Sequence, residues 1–200
     1  MRWDRFFEDL EDQLDSEWEA ERAALDTEAE RLRLARIPVR DRLVVLTEAG
    51  DVSLGIELTD GTTLSGVVTR VGSDWLAVSV EDGSSGMVWI VPFTAVATMA
   101  LGTKDLLDSV RSAHPGGALA QRMSLGFVVR DLVRRRIPVT VRLVTGRVLS
   151  GTIDRAGADH LDLALHEVGA VRRADQLRGF RIVPFPAVAA MRMDAVADLV

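Results

Sequence analysis

The stretch GIELTDGTTLSGVVTRVGSDWLAVSV, residues 55–80, decides the fold because the chain contains it twice. Displaced by 85 positions it falls on TVRLVTGRVLSGTIDRAGADHLDLAL, residues 140–165. The copies share Leu58/Leu143, Gly61/Gly146, Leu64/Leu149, Ser65/Ser150, Gly66/Gly151, Arg70/Arg155, Gly72/Gly157, Asp74/Asp159 and Leu76/Leu161. After a seven-residue insertion in the second copy, IVPFTAVATM (90–99) falls on IVPFPAVAAM (182–191), and only two positions differ. A repeat of this length marks one supersecondary unit written twice.

A second candidate register exists. RIPV occurs at Arg36–Val39 and again at Arg136–Val139, an offset of 100. Periodicity decides for 85. At that offset Val52, Leu54, Ile56 and Leu58 meet Ile137, Val139, Val141 and Leu143, the alternation of a half-buried strand. The helical stretch 39–49 then falls on 124–134, with Pro38 suited to a first turn and Gly50 to a stop. Each copy reads as a short helix followed by five strands, in the first copy 51–59, 62–71, 74–81, 86–91 and 94–99. Asp60-Gly61 and Gly72-Ser73 mark hairpins. Gly66 and Gly151 lie inside apolar strands, where a sharply bent strand closing a small barrel accounts for them. Leu64, Val68, Leu76, Val78, Val91 and Val96 are the expected interior.

The expected fold class is therefore mainly β with helices (α+β): a long N-terminal helix and two five-stranded bent-sheet barrels, each preceded by a short helix. The expected organisation is an acidic amphipathic helix at 1–36, a first module at 38–101, a linker at 102–117 and a second module at 118–200. Residues 2–36 lack Gly and Pro and carry Trp3, Phe6, Phe7, Leu10, Leu14, Trp18, Leu25 and Leu32 at helical spacings. That stripe needs a cover, from the chain itself or from a partner.

The second strand with its glycine, and IVPFTAVATM with Val91, Ala95, Val96 and Thr98 at matching places, resemble the Sm-like (Hfq/LSm-type) family over about 39–101 and 124–193. The chain also resembles a group of high-GC bacterial proteins with paired modules. The resemblance implies a small barrel whose fourth and fifth strands pair with neighbours; MVWIV (87–91) and FRIVPF (180–185) are apolar enough to need such a cover. The Lys-His pair that family uses for uridine-rich RNA falls on Phe93 and Thr94 here, and on Phe185 and Pro186 in the second copy. The resemblance therefore carries the fold and not the uridine pocket.

The 200 residues include no Cys and no Tyr, which removes disulfides, thiolate metal sites, a cysteine nucleophile and a phenolic acid or base. No phosphate-cradling glycine loop or nucleophile elbow occurs. His160 and His166 stand too far apart along an extended strand to share one ion. Neither catalytic residues, metal nor small-molecule cofactor is expected. The absence of a long apolar run and the acidic N-terminus set a cytoplasmic, non-membrane expectation.

Net charge is −6 overall but graded: 3 basic and 12 acidic residues in 1–30, against 13 basic and 8 acidic in 116–200. Two functional expectations follow. The first is a non-enzymatic assembly or scaffold protein that self-associates or binds a protein partner, using Trp3, Phe6, Phe7, Leu10, Leu14, Trp18, Trp89, Phe93 and Phe185. The alternative is single-stranded RNA binding by the basic second module, through Arg134, Arg135, Arg136, Arg142, Arg147, Arg155, Arg172, Arg173, Arg178 and Arg181, with the acidic helix as a shield.

Overall fold

The computed structural model describes residues 2–82, 85–111, 120–167 and 178–194; in the first helix, side chains are described at 18, 19 and from 21 onward. The chain divides into two compact units, 1–39 and 40–200. The first is a single helix, α1 (Arg2–Ala35). Its uninterrupted run without Gly or Pro permits this length, and Arg33–Glu30 (2.7 Å) and Arg31–Glu28 (3.8 Å) brace one-turn spacings. Trp18, Leu25 and Leu32, seven residues apart, are all exposed. Trp3, Phe6, Phe7, Leu10 and Leu14 lie outside the described side chains.

Among the described residues the remaining α-helices and strands are α2 (Val39–Ala49), β1 (Ser53–Leu58), β2 (Thr63–Val71), β3 (Trp75–Asp82), β4 (Ser85–Pro92), β5 (Val96–Ala100), α3 (Thr103–Asp108), α4 (Leu125–Arg135), β6 (Pro138–Leu143), β7 (Val148–Ala156), β8 (His160–Leu165), β9 (Phe180–Pro184) and β10 (Val188–Asp194). The duplication is visible pair by pair. Ile56↔Leu64 of β1–β2 returns as Val141↔Leu149 of β6–β7, and Val68↔Val78 of β2–β3 returns as Ile153↔Leu163 of β7–β8. Even the irregularity after Val68 recurs after Ile153. The two RIPV segments, by contrast, occupy different places, one between α1 and α2 and the other at the end of α4 and the start of β6.

The strands do not close into barrels. All ten form one open antiparallel sheet in the order β5-β1-β2-β3-β4-β10-β6-β7-β8-β9. A strand has two hydrogen-bonding edges, and β4 uses one on β3 and the other on β10 of the second copy, so neither is left to close the first module. Among the described residues the outer edges of β5 and β9 meet no strand. The Sm-like resemblance is thus overturned, and the pair of small barrels with it; the architecture is α+β with a continuous sheet.

The glycines that suggested closure have another cause. A Cβ on Gly66 would stand 2.2 Å from the Ser79 carbonyl oxygen, and one on Gly151 2.0 Å from that of Ala164. These strands need glycine because the neighbouring backbone already occupies the Cβ position, beside an irregularity that bends the ladder.

Two apolar clusters fill the fold. One gathers Leu43, Val44 and Leu46 of α2 with Leu54, Ile56, Leu64, Val68, Leu76, Val78 and Val91. The other gathers Leu125, Val128, Val129 and Leu132 of α4 with Val139, Val141, Leu161, Leu163 and Val183. Neither is confined to one copy: Ala190 joins the first, while Trp75, Ala77 and Ile90 join the second. Val96, expected inside, is half-buried because β5 is an outer strand.

Candidate association edge

The seam between the copies shows how this chain joins one sheet edge to another. Strand β10 pairs with β4 through Met191↔Ile90, Arg192↔Trp89, Met193↔Val88 and Asp194↔Met87. Ile90 and Met191 are fully buried there, worth about 1.5–3 kcal/mol for each such side chain. The Arg192 guanidinium lies 5.9 Å from the centre of the Trp89 ring, a cation–π distance.

A polar socket at the β2–β3 turn completes the seam. Asp74 Oδ1 accepts the Leu125 N–H at 2.7 Å, at the start of α4, where a carboxylate meets an unpaired helix donor and a favourable dipole. The Trp75 indole N–H and the Ser73 N–H both donate to the Met123 carbonyl, at 2.9 and 3.0 Å. The Trp75 ring lies over Gly72, where a Cβ would come within 2.1 Å of it. Arg40 adds hydrogen bonds to the Gly72 and Gln121 carbonyls at 2.9 and 2.7 Å. Asp60 and Arg142, from the two copies, meet at 3.2 Å.

Counterparts of these residues recur at β8 and β9, where among the described residues no strand lies against the outer edge. Ile182 is the counterpart of Ile90, and it is 72% exposed where Ile90 is 0%. Phe180 is 53% exposed. Phe185 N–H donates to the Asp159 carbonyl at 2.8 Å and the Gly179 carbonyl accepts from Leu165 N–H at 2.9 Å. Odd-numbered residues of β9 therefore turn their main-chain groups to β8, and alternation points those of Phe180 and Ile182 outward. At the other end of the sheet, Ala97, Thr98 and Ala100 of β5 are exposed, whereas Ala189 and Ala190 of β10 are buried.

The residues singled out in the sequence are dispersed. Trp89 is half-buried in the seam, Phe93 packs on the first cluster and Phe185 on the second. Arg134 and Arg135 pair with Asp131, Arg142 with Asp60, and Arg178 with Glu167. Arg136 is the left-handed cap of α4, Arg147 and Arg155 are exposed, and the Arg181 guanidinium donates to the Phe180 carbonyl at 2.8 Å. Arg172 and Arg173 lie outside the described residues. Both functional expectations assumed barrels to carry them, and with the sheet open neither the barrel scaffold nor the basic barrel face is present.

The histidines are engaged locally. His160 Nδ1 lies 2.8 Å from Asp159 Oδ1, and this hydrogen bond holds the Asp159 carboxyl below its ordinary range. His166 is buried, with Nε2 on the Thr152 hydroxyl (2.8 Å) and Nδ1 on the Glu167 carbonyl (2.9 Å). Among the described residues no three His, Cys, Asp or Glu side chains gather to hold a metal ion, and no helix is long and apolar enough to cross a membrane.

Sequence reading flagged the FRIVPF stretch but not Ile182 itself; setting it beside Ile90 in the repeat is the signal that finds it. No protein-family model matches the chain, and no curated protein matches it.

Proposed function

We propose that this chain is a non-catalytic association module that works through the free edges of its open sheet, taking up a polypeptide strand by main-chain pairing. One observation carries the reading: among the described residues Ile182 stands exposed on an edge that no strand pairs with, while its counterpart Ile90 is buried in the second apolar cluster beside its paired strand β10. Natural sheets blunt a bare edge with charge, bulges or a covering element. Here β9 carries Phe180 and Ile182, and only Arg181 and the N–H-lacking Pro184 oppose pairing. An exposed isoleucine amid outward main-chain donors and acceptors recovers both apolar and hydrogen-bonding free energy when a strand is laid against it.

Light scattering over a concentration series tests the reading. The unmodified chain is expected to associate, and Ile182→Lys to weaken association at least tenfold without lowering the melting temperature of the dilute protein. A chain that stays monomeric and instead binds short single-stranded RNA with a steep salt dependence would overturn it.

A further inference from the structure

The socket at residues 157–160 identifies the partner. It repeats the socket at 72–75 in residue order and in its ring-over-glycine packing: Asp159 stands for Asp74, His160 for Trp75 and Gly157 for Gly72, with Asp159 Oδ1 here hydrogen-bonded to its own neighbour His160 at 2.8 Å. The His160 ring covers Gly157 as the Trp75 ring covers Gly72, within 2.3 Å of where a Cβ would stand. In the first socket Asp74 holds the Leu125 N–H of α4. In the second, the Asp159 side chain is 88% exposed. One strand inward from Ile182, the paired residue Asp162 buries Oδ1 with no hydrogen-bond partner among the described residues; its counterpart Ala77 is covered by the second apolar cluster. A buried carboxylate oxygen without a donor is costly, and here it borders the uncovered face.

What fits such a socket is the counterpart of α4, and the chain holds one copy of that element, α2. We infer that the occupant is a second copy of this chain: its β5 lies antiparallel along β9, and its α2 sets the Arg40 N–H, counterpart of the Leu125 N–H, on Asp159. The inference rests on the association proposed above. The seam fixes the register. Met191↔Ile90 becomes Met99↔Ile182, and Arg192↔Trp89 becomes Ala100↔Arg181. The contact is head-to-tail, because each chain offers one β9 and one β5; such contacts close into rings or extend as filaments. The second copy supplies the strand and the helix end that the site lacks.

The absence of cysteine permits a clean test on the full chain. Ala100→Cys and Arg181→Cys proteins are prepared separately, mixed and oxidised mildly. The Ala100/Arg181 pair falls at a non-hydrogen-bonded position, where Cα atoms approach to about 4.5 Å, within disulfide range. A disulfide-linked dimer is expected in the mixture and not in either variant alone. Thr98→Cys replacing Ala100→Cys is expected to link at least tenfold more slowly. Asp159→Ala is expected to weaken association about tenfold, with the melting temperature of the dilute chain unchanged. Three results would overturn the inference: linkage favouring Thr98→Cys, association indifferent to Asp159→Ala, or association lost in Ile182→Lys without any Ala100/Arg181 link. The last leaves the edge reading standing with a different partner. A chain that neither associates nor links overturns both.

Discussion

Asp60 shows what a single side chain contributes to joining the copies. It closes the β1–β2 turn by accepting the Thr62 N–H (3.0 Å) and hydroxyl (3.1 Å), and it meets Arg142 of the second copy at 3.2 Å. Its carboxylate is fully covered. Burial alone would raise its pKa; the Thr62 and Arg142 hydrogen bonds and the Arg142 charge outweigh it, and the group titrates below its ordinary range. A carboxyl lowered in this way stabilises the fold above the pH at which it titrates in the unfolded chain, and that contribution is lost as pH falls through the lower native value. Asp60→Asn is therefore expected to cost about 1–3 kcal/mol at pH 7. The gap from the unmodified chain should narrow in acid, as chemical denaturation at several pH values would show. A gap that does not change with pH would assign the cost to packing alone.

At the scale of elements, the sequence revealed the strands and concealed their partners. Alternation from Val52 to Leu58 and the glycine-marked turns located β1 and β2 to within about two residues, because both signals are local. The offset of 85 survived against RIPV for the same reason. Closure was not legible. A strand glycine reports only that something approaches its backbone, and a neighbouring carbonyl beside a bulge satisfies that as well as a barrel does. Which strand takes the outer edge of β4 depends on a segment about 100 residues away in the chain, and no local pattern encodes the choice. The candidate site was half visible: FRIVPF announced an apolar edge, while the exposed position of Ile182 required knowing that β9 ends the sheet. The repeat supplies a matched comparison. Ile90→Ala, in the seam, is expected to destabilise by about 2–5 kcal/mol, and Ile182→Ala by less than about 0.5 kcal/mol in dilute solution, by thermal or urea unfolding. Equal costs would mean that β9 is covered within the chain.

At the scale of the whole molecule, duplication explains both the internal seam and the unfinished ends. Two copies laid edge to edge consume one pair of complementary strands, β4 and β10, and leave the other pair, β9 and β5, at opposite ends of ten strands. The geometry that holds the two halves together is thus presented again at the edges. Amide hydrogen exchange at two residues, read across a dilution series, tests this most directly. The Ile90 N–H, turned toward β10, should be protected at every concentration. The Ile182 N–H should exchange freely in dilute protein and slow as concentration rises. An Ile182 amide protected at every dilution, or an Ile90 amide as open as Ile182, would contradict an open sheet with a sealed seam and a free edge.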